Sequence, residues 1–479
     1  MISVMRRRAV RCAAVALVSG LAAVGTIAAG GPAVADDAPQ SPGGVTATLG
    51  RITAGSGAVV HDRRKTGEMT AGLFEMKVDG GGSLQTYCVD ILTNTVDGAR
   101  YKEVGWGESS LHANKNAGKI RWILQHSYPQ VNDLAALAKD ADTGALNADT
   151  AAAGTQVAIW RYSDGVEVDA KDPAAEKLAD YLYKNARDTD EPEASLRLTP
   201  SAVSGRSGQK LGPVTVHTNA SSVTVSPSGD AAAKGVRIVD KDGKPVTSTR
   251  DGGELFFDVR PGVRDGSLAL RAMAATKVPV GRVFIGDHTT TQTQILAGSS
   301  ESTVSASATA TWATKGAIPA LSARKNCAKG GVEVTAENQG DAPYTFELDG
   351  AKHTVPAGRT ETIFVKVAED QAYKFTIRGP HGLARTFSGI LDCATAETGA
   401  AATTDGGGAG TKATLASRMS PASTGGTGKG TVNASVDGDL AVTGGGNANP
   451  TFTGIAIALI VVGSGAVYLL RREKAASGE

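Results

Sequence analysis

Three cysteines of this chain, Cys88, Cys327 and Cys393, lie outside its N-terminal leader, where the fourth, Cys12, sits. An exported chain favours paired cysteines, and three cannot all pair within one molecule. One must be free, intermolecular or committed to other chemistry. Cys88 reads as the odd one, in the strand-like run Tyr87-Cys88-Val89-Asp90-Ile91. A second sharply defined run is Thr155-Gln156-Val157-Ala158-Ile159-Trp160. A cysteine and a glutamine brought together by a fold can condense, with loss of ammonia, to an internal thioester, an electrophile made from two ordinary side chains.

The elements that must position these groups follow from the patterning. Leu73 to Val78 alternates with period two and reads as a strand. Gly80-Gly81-Gly82 makes a turn, and Leu84 to Leu92 reads as the return strand carrying Cys88. Ala117 to His126 looks helical. Asp172-Pro173 opens another helix, with Asp as N-cap and Pro in the first turn, running to about Ala186. Gln156 lies on a segment beginning near Asp149-Thr150, a plausible cap. Cys88 is therefore expected on a strand and Gln156 near a helix.

From Leu196 to about Trp312 helical signals nearly vanish. Val214-Thr215-Val216, Val223-Thr224-Val225, Val236 to Val239, Leu255 to Val259 and Val283-Phe284-Ile285 read as short strands of one β-sandwich. Residues 315–393 form a third all-β unit with Cys327 and Cys393 at its two ends. A disulfide there would close most of a small domain and stabilise it by roughly 4 kcal/mol in the chain-entropy model. Residues 394–439 are rich in Gly, Thr, Ala and Ser and read as a disordered stalk.

Both ends carry membrane signals. Arg6, Arg7, Arg8 and Arg11 precede an apolar run and Ala33-Val34-Ala35, a secretory signal over residues 1–35 cut before Asp36; an uncleaved N-terminal anchor is the alternative. Near the C-terminus, Phe452 to Leu470 is apolar and 19 residues long, roughly 28 Å of helix, enough to cross a hydrocarbon core. Arg471 and Arg472 follow, as a cytoplasmic stop requires. Just before the span lies Leu440-Ala441-Val442-Thr443-Gly444. With the span and basic tail, this resembles a sortase sorting signal in the variant form of high-GC actinobacteria, with Ala in place of Pro. The resemblance implies cleavage between Thr443 and Gly444 and transfer of Thr443 to peptidoglycan. A plain single-pass membrane protein is the other reading of residues 440–479.

Several function classes find no support. The net charge of +1 gives no field for nucleic acid. The histidines His61, His112, His126, His217, His288, His353 and His381 have no metal-like spacing, and no hydrolase elbow or phosphate loop is present. No metal or cofactor is expected, and no turnover enzyme.

Tyr-Cys-Val-Asp and Thr-Gln-x-Ala-Ile-Trp together resemble the paired motifs of bacterial surface thioester domains, also called TQxA domains. The 68-residue separation of Cys88 and Gln156 is similar too, and the resemblance covers about Val45 to Asp188. It implies that Cys88 supplies the sulfur and Gln156 the acyl carbon, which leaves Cys327 and Cys393 as disulfide partners. Trp160, Tyr87 and Ile159 would be apolar cover or ordinary core. The expected fold is an α+β thioester domain (a β-sandwich with a helical subdomain, 36–195), then two all-β Ig-like sandwiches (196–314 and 315–393), the stalk and a C-terminal transmembrane helix. The expected function is a cell-wall-anchored adhesin that captures an amine-bearing target covalently. Its partners would be sortase, peptidoglycan and that target, with the membrane involved only before sorting. The rival is a structural surface or matrix protein with an unreactive buried cysteine.

Overall fold

The computed structural model describes residues 43–62, 65–229 and 231–394. The expected leader, sorting pentapeptide and C-terminal span, and all of the stalk beyond residue 394, lie outside them. Among the described residues no helix is long and apolar enough to cross a membrane. The described residues are mostly β, with four α-helices, all between Ala117 and Asn185.

The N-terminal part is built on β1 (Thr46–Asp62), β2 (Lys65–Val78), β3 (Ser83–Cys88), β4 (Arg100–Val104) and β5 (Val168–Ala170). Gly80, Gly81 and Gly82 all take positive φ, which lets the chain reverse tightly between β2 and β3. The return strand ends at Cys88, earlier than the apolar run suggests: beyond Val89 the chain turns away, with the Ile91 N–H held by Asp164 Oδ1 and the Leu92 N–H by Asp90 Oδ1.

Two further strands of this sheet come from far along the chain, Val283–Gly286 and Gln294–Ser299. Both insert between β3 and β4, giving the order β2, β3, Gln294–Ser299, Val283–Gly286, β4, β1 and β5. Because β1 pairs with β2 as well as with β4, the first six strands close into a ring. All the pairings in it are antiparallel. This is a barrel and not the expected sandwich, and closure leaves those strands no free edge. Register shifts near Ile52 bend β1 between its β4-paired start and its β5-paired end.

The domain boundaries change accordingly. Residues 196–314 are not one continuous sandwich, and 36–195 is not a complete first domain. Val283-Phe284-Ile285, read as a sandwich strand, belongs to the barrel. The sandwich proper has a four-stranded sheet (Val236–Val239, Glu254–Val259, Lys210–Thr218, Leu196–Thr199). Its five-stranded partner runs Ser248–Thr249, Val223–Pro227, Gly266–Lys277, Glu301–Ala313, Ala202–Arg206. Sandwich residues Val214, Phe257, Leu270 and Trp312 share one continuous apolar cluster with barrel residues Leu49, Met76, Tyr101, Phe284 and Leu296. The two units are thus fused through a common core.

The helices are α1 (Ala117–Gln125), α2 (Leu134–Asp140), α3 (Ala148–Ser163) and α4 (Pro173–Asn185). α3 is almost wholly buried. Its start is fixed by a capping box: Asn147 Oδ1 accepts from the Thr150 N–H at 2.9 Å, and Thr150 Oγ1 accepts from the Asn147 N–H at 3.0 Å. The cap is therefore Asn147, just ahead of the Asp149-Thr150 pair read from the sequence. Gly154 is where α4 crosses: a Cβ there would stand 2.5 Å from the Ala175 carbonyl oxygen. Residues 317–393 hold a three-stranded sheet and two hairpins around their own core. Cys327 and Cys393 are bonded there, with S–S 2.00 Å and a sequence separation of 66.

Candidate functional site: Cys88 and two glutamines

Cys88 closes β3 and is 2% exposed. In the ladder it stands opposite Gln294. The adjacent Val89 N–H donates to the Thr293 carbonyl at 3.1 Å, so Cys88 and Gln294 form a non-hydrogen-bonded pair. Such pairs bring opposed residues closest, at about 4.5 Å between Cα atoms, with side chains on one face. The Gln294 side chain exploits this closeness. Its Nε2 lies 3.1 Å from Cys88 Sγ and 3.5 Å from the Gln292 carbonyl oxygen. Its Oε1 accepts from the Thr86 hydroxyl at 3.0 Å.

Gln156 does something else. From the third turn of α3, its Oε1 accepts from the Cys88 N–H at 2.9 Å and its Nε2 donates to the Cys88 carbonyl at 2.8 Å. In a non-hydrogen-bonded pair, those backbone groups point away from the Gln294 strand. Gln156 therefore stands in for a neighbouring strand and leaves its own carboxamide fully engaged. The assignment of Gln156 as the acyl partner does not match this arrangement: the carboxamide at the sulfur is that of Gln294.

The surroundings hold the pair rigidly. Asp164 Oδ1 accepts from the Ile91 N–H at 3.0 Å, fixing the turn after Cys88. The Gln292 side chain donates to the Asp90 carbonyl. The Tyr101 hydroxyl meets Thr291 Oγ1 at 2.9 Å and donates to the Gln292 carbonyl at 2.8 Å, pinning the approach to Gln294. Tyr87, Ile159 and Trp160 are all buried in the apolar cluster that includes Cys88. His112 and His126 bond locally, to the carbonyls of Ser109 and Trp122 at 3.1 and 2.8 Å, so neither is arranged as a base for Cys88.

Burial pushes the Cys88 thiol up to about 12, a rise that the Gln294 hydrogen bond opposes and that Asp90 and Asp164 reinforce. At neutral pH the sulfur keeps its proton. This is a thiol shielded from solvent and in contact with the Gln294 carboxamide, and unsuited to solution redox chemistry.

Sequence reasoning missed Gln294. A signal existed: Thr293-Gln294-Ile295-Leu296 repeats the threonine-glutamine-apolar start of Thr155-Gln156-Val157-Ala158, within a strand-like run.

Residues 85–188 match the family model described as thioester domain. Residues 319–390 match that of the bacterial phospholipase C, C-terminal domain. No curated protein matches the chain. Among solved structures, the Bacillus anthracis TIE protein aligns at 14% identity over 73% of this chain and 81% of its own, with a TM-score of 0.25. The thioester domain of the Enterococcus faecium TIE86 protein aligns at 16% identity over 57% of this chain and 100% of its own, with a TM-score of 0.27. That of the Staphylococcus aureus TIE protein aligns at 12% over 57% and 99%, with a TM-score of 0.21. The stretch that holds Cys88 and Gln156 is thus similar to the thioester domain family, and Gln294 lies beyond the matched residues.

Proposed function

We propose that this protein is a surface adhesin that captures an amine-bearing target through an internal thioester between Cys88 and Gln294. The observation that carries the reading is the Gln294 carboxamide at the Cys88 sulfur, 3.1 Å away. In formation, Sγ attacks Cδ of Gln294, the S–C bond forms and the C–N bond breaks. The thiol proton leaves with the nitrogen as ammonia. In capture, a target amine attacks the same carbon, a C–N bond forms and the C–S bond breaks. The amine proton passes to Cys88, leaving an amide and a free thiol. The burial of Cys88 keeps water, the competing nucleophile, away. The step runs once per molecule, so the protein is a binding protein and not a turnover enzyme. Attachment through Leu440-Ala441-Val442-Thr443-Gly444 would hold it on peptidoglycan, the sandwich and the disulfide-closed unit acting as spacers.

The same burial favours the rival reading of an inert core cysteine, and one experiment separates the two. The full chain, corrected for its processing, should weigh one ammonia less than its sequence. Methylamine should add to Gln294 and expose one thiol. Cys88→Ala and Gln294→Ala should each abolish the deficit, and Gln156→Ala should not. Methylamine on Gln156 would overturn the Gln294 assignment. An unmodified glutamine at 294 in fresh protein of full mass, with no glutamate from hydrolysis, would leave only the inert cysteine.

A further inference from the structure

Thr86 is two residues before Cys88 on β3, so both side chains project from the same face of the strand. It is fully buried, and its hydroxyl donates to Gln294 Oε1 at 3.0 Å. The Gln294 carboxamide is thus gripped at both ends: its nitrogen by Cys88 Sγ and the Gln292 carbonyl, its oxygen by Thr86. The nitrogen is the group that departs when Sγ attacks, and the oxygen is where negative charge collects.

We infer that Thr86 is a catalytic residue of the thioester chemistry, its hydroxyl acting as the donor that stabilises the oxyanion on Gln294 in both formation and aminolysis. The inference rests on the Cys88–Gln294 reading. In each step the carbonyl carbon becomes tetrahedral, and the C=O electron pair moves onto Oε1. It returns as the leaving group departs: ammonia, carrying the thiol proton, in formation; the Cys88 sulfur, which takes the amine proton, in capture. A donor already aimed at Oε1 in a water-free site needs no reorganisation as that charge appears. Thr86 also explains how a carboxamide, a poor acyl donor, is activated: the hydroxyl polarises the carbonyl while the ladder holds the sulfur beside the carboxamide. The Thr86 side chain would otherwise be an expensive choice for a buried strand position, where valine has the same shape and no polar atom to satisfy.

The test uses the full chain and methylamine. Thr86→Val should slow both the loss of ammonia after synthesis and the methylamine reaction by roughly 10²–10³-fold, the range seen when one oxyanion donor is removed. Thr86→Ser, which restores the hydroxyl, should recover a rate close to native. The infrared C=O stretch of any thioester formed in Thr86→Val should lie above that of the native protein, since a hydrogen bond to the oxygen has gone; a purely structural role would not move it. Thermal melting of both variants separates folding from chemistry. If Thr86→Val does not fold, Thr86→Ala takes its place, and an alanine variant that reacts as fast as Thr86→Ser overturns the inference. A native chain with no ammonia deficit would instead overturn the thioester reading itself, a separate outcome. A native thioester that Thr86→Val forms and releases to methylamine at an unchanged rate would overturn the role of Thr86 alone.

Discussion

The carboxamide of Gln156 meets the peptide of Cys88 as a neighbouring strand would, accepting from its N–H at 2.9 Å and donating to its carbonyl at 2.8 Å. This is a helix residue completing a β-ladder. Its job is to satisfy two buried backbone groups at the point where β3 leaves the reach of β2, whose pairing with it ends at Phe74 and Thr86.

Removing that substitute strand should therefore cost stability, not chemistry. Gln156→Ala orphans a buried N–H and a buried carbonyl, at about 1–3 kcal/mol each. Denaturant titration should show a loss of about 2–6 kcal/mol, while the folded fraction keeps any ammonia deficit of the native protein. A Gln156→Ala protein of native stability would contradict this account of Gln156.

The position of the Gln294 strand sets where the barrel can be cut. A fragment of residues 36–192 lacks both late barrel strands, so β3 and β4 face an open gap. It should aggregate or melt without cooperativity, and carry no ammonia deficit. A fragment of residues 36–316, which keeps the barrel and sandwich core together, should melt cooperatively. Limited proteolysis and calorimetry check both.

Arg282 and Glu103 form an ion pair at 2.8 Å, 7% and 1% exposed. Glu103 also accepts from Val45 N–H and from Ser195, tying the chain on both sides of the barrel to one carboxylate. Arg282→Met should cost about 3–5 kcal/mol, because it strands a buried charge. Replacing Glu103 with Gln in that background should recover part of the loss, and a double-mutant cycle measures how much.

Asp392 is buried and its carboxyl is raised to about 7, chiefly by desolvation and then by Asp90, with Asp370 and Glu369 adding to the rise and Lys325 opposing it. A carboxyl whose folded value lies above its unfolded one binds protons more tightly when folded. Its contribution is therefore fully favourable below about pH 4 and is lost as pH climbs towards 7. Asp392→Asn should stabilise the third unit at pH 8, by on the order of 2–4 kcal/mol, and make little difference at pH 4. Melting curves at the two pH values give the answer; a larger gain at pH 4 would reverse the sign and refute the argument.

What was legible in the sequence was local. Asp172 caps α4 as its type and the following proline suggest, accepting from the N–H groups of Ala174 and Ala175 at 2.8 and 3.0 Å. Cys88 on a strand and Gln156 on a helix were readable for the same reason, since period and capping are decided within a few residues. Which strand stands beside Cys88 is another matter. Its partner is 206 residues away, reached only after the chain has built most of a sandwich. A period-two run announces a strand but not its neighbour, which is why Val283-Phe284-Ile285 was readable as β and placed in the wrong sheet. Gln294 reads as one polar residue in an apolar strand until the register sets it against a thiol.

The placement of Gln294 also has a mechanical meaning. A pull arriving at its side chain enters a strand that is zipped along one flank to β3 and along the other to the Val283–Gly286 strand, so the load spreads into two ladders before it travels on. Moving down the chain, it meets the Cys327–Cys393 bridge, which carries tension directly across a separation of 66 residues. At about 3.4 Å per extended residue, that shunt withholds roughly 220 Å of slack. The two ends of the bridged segment stay 5.3 Å apart under force even if the fold between them gives way.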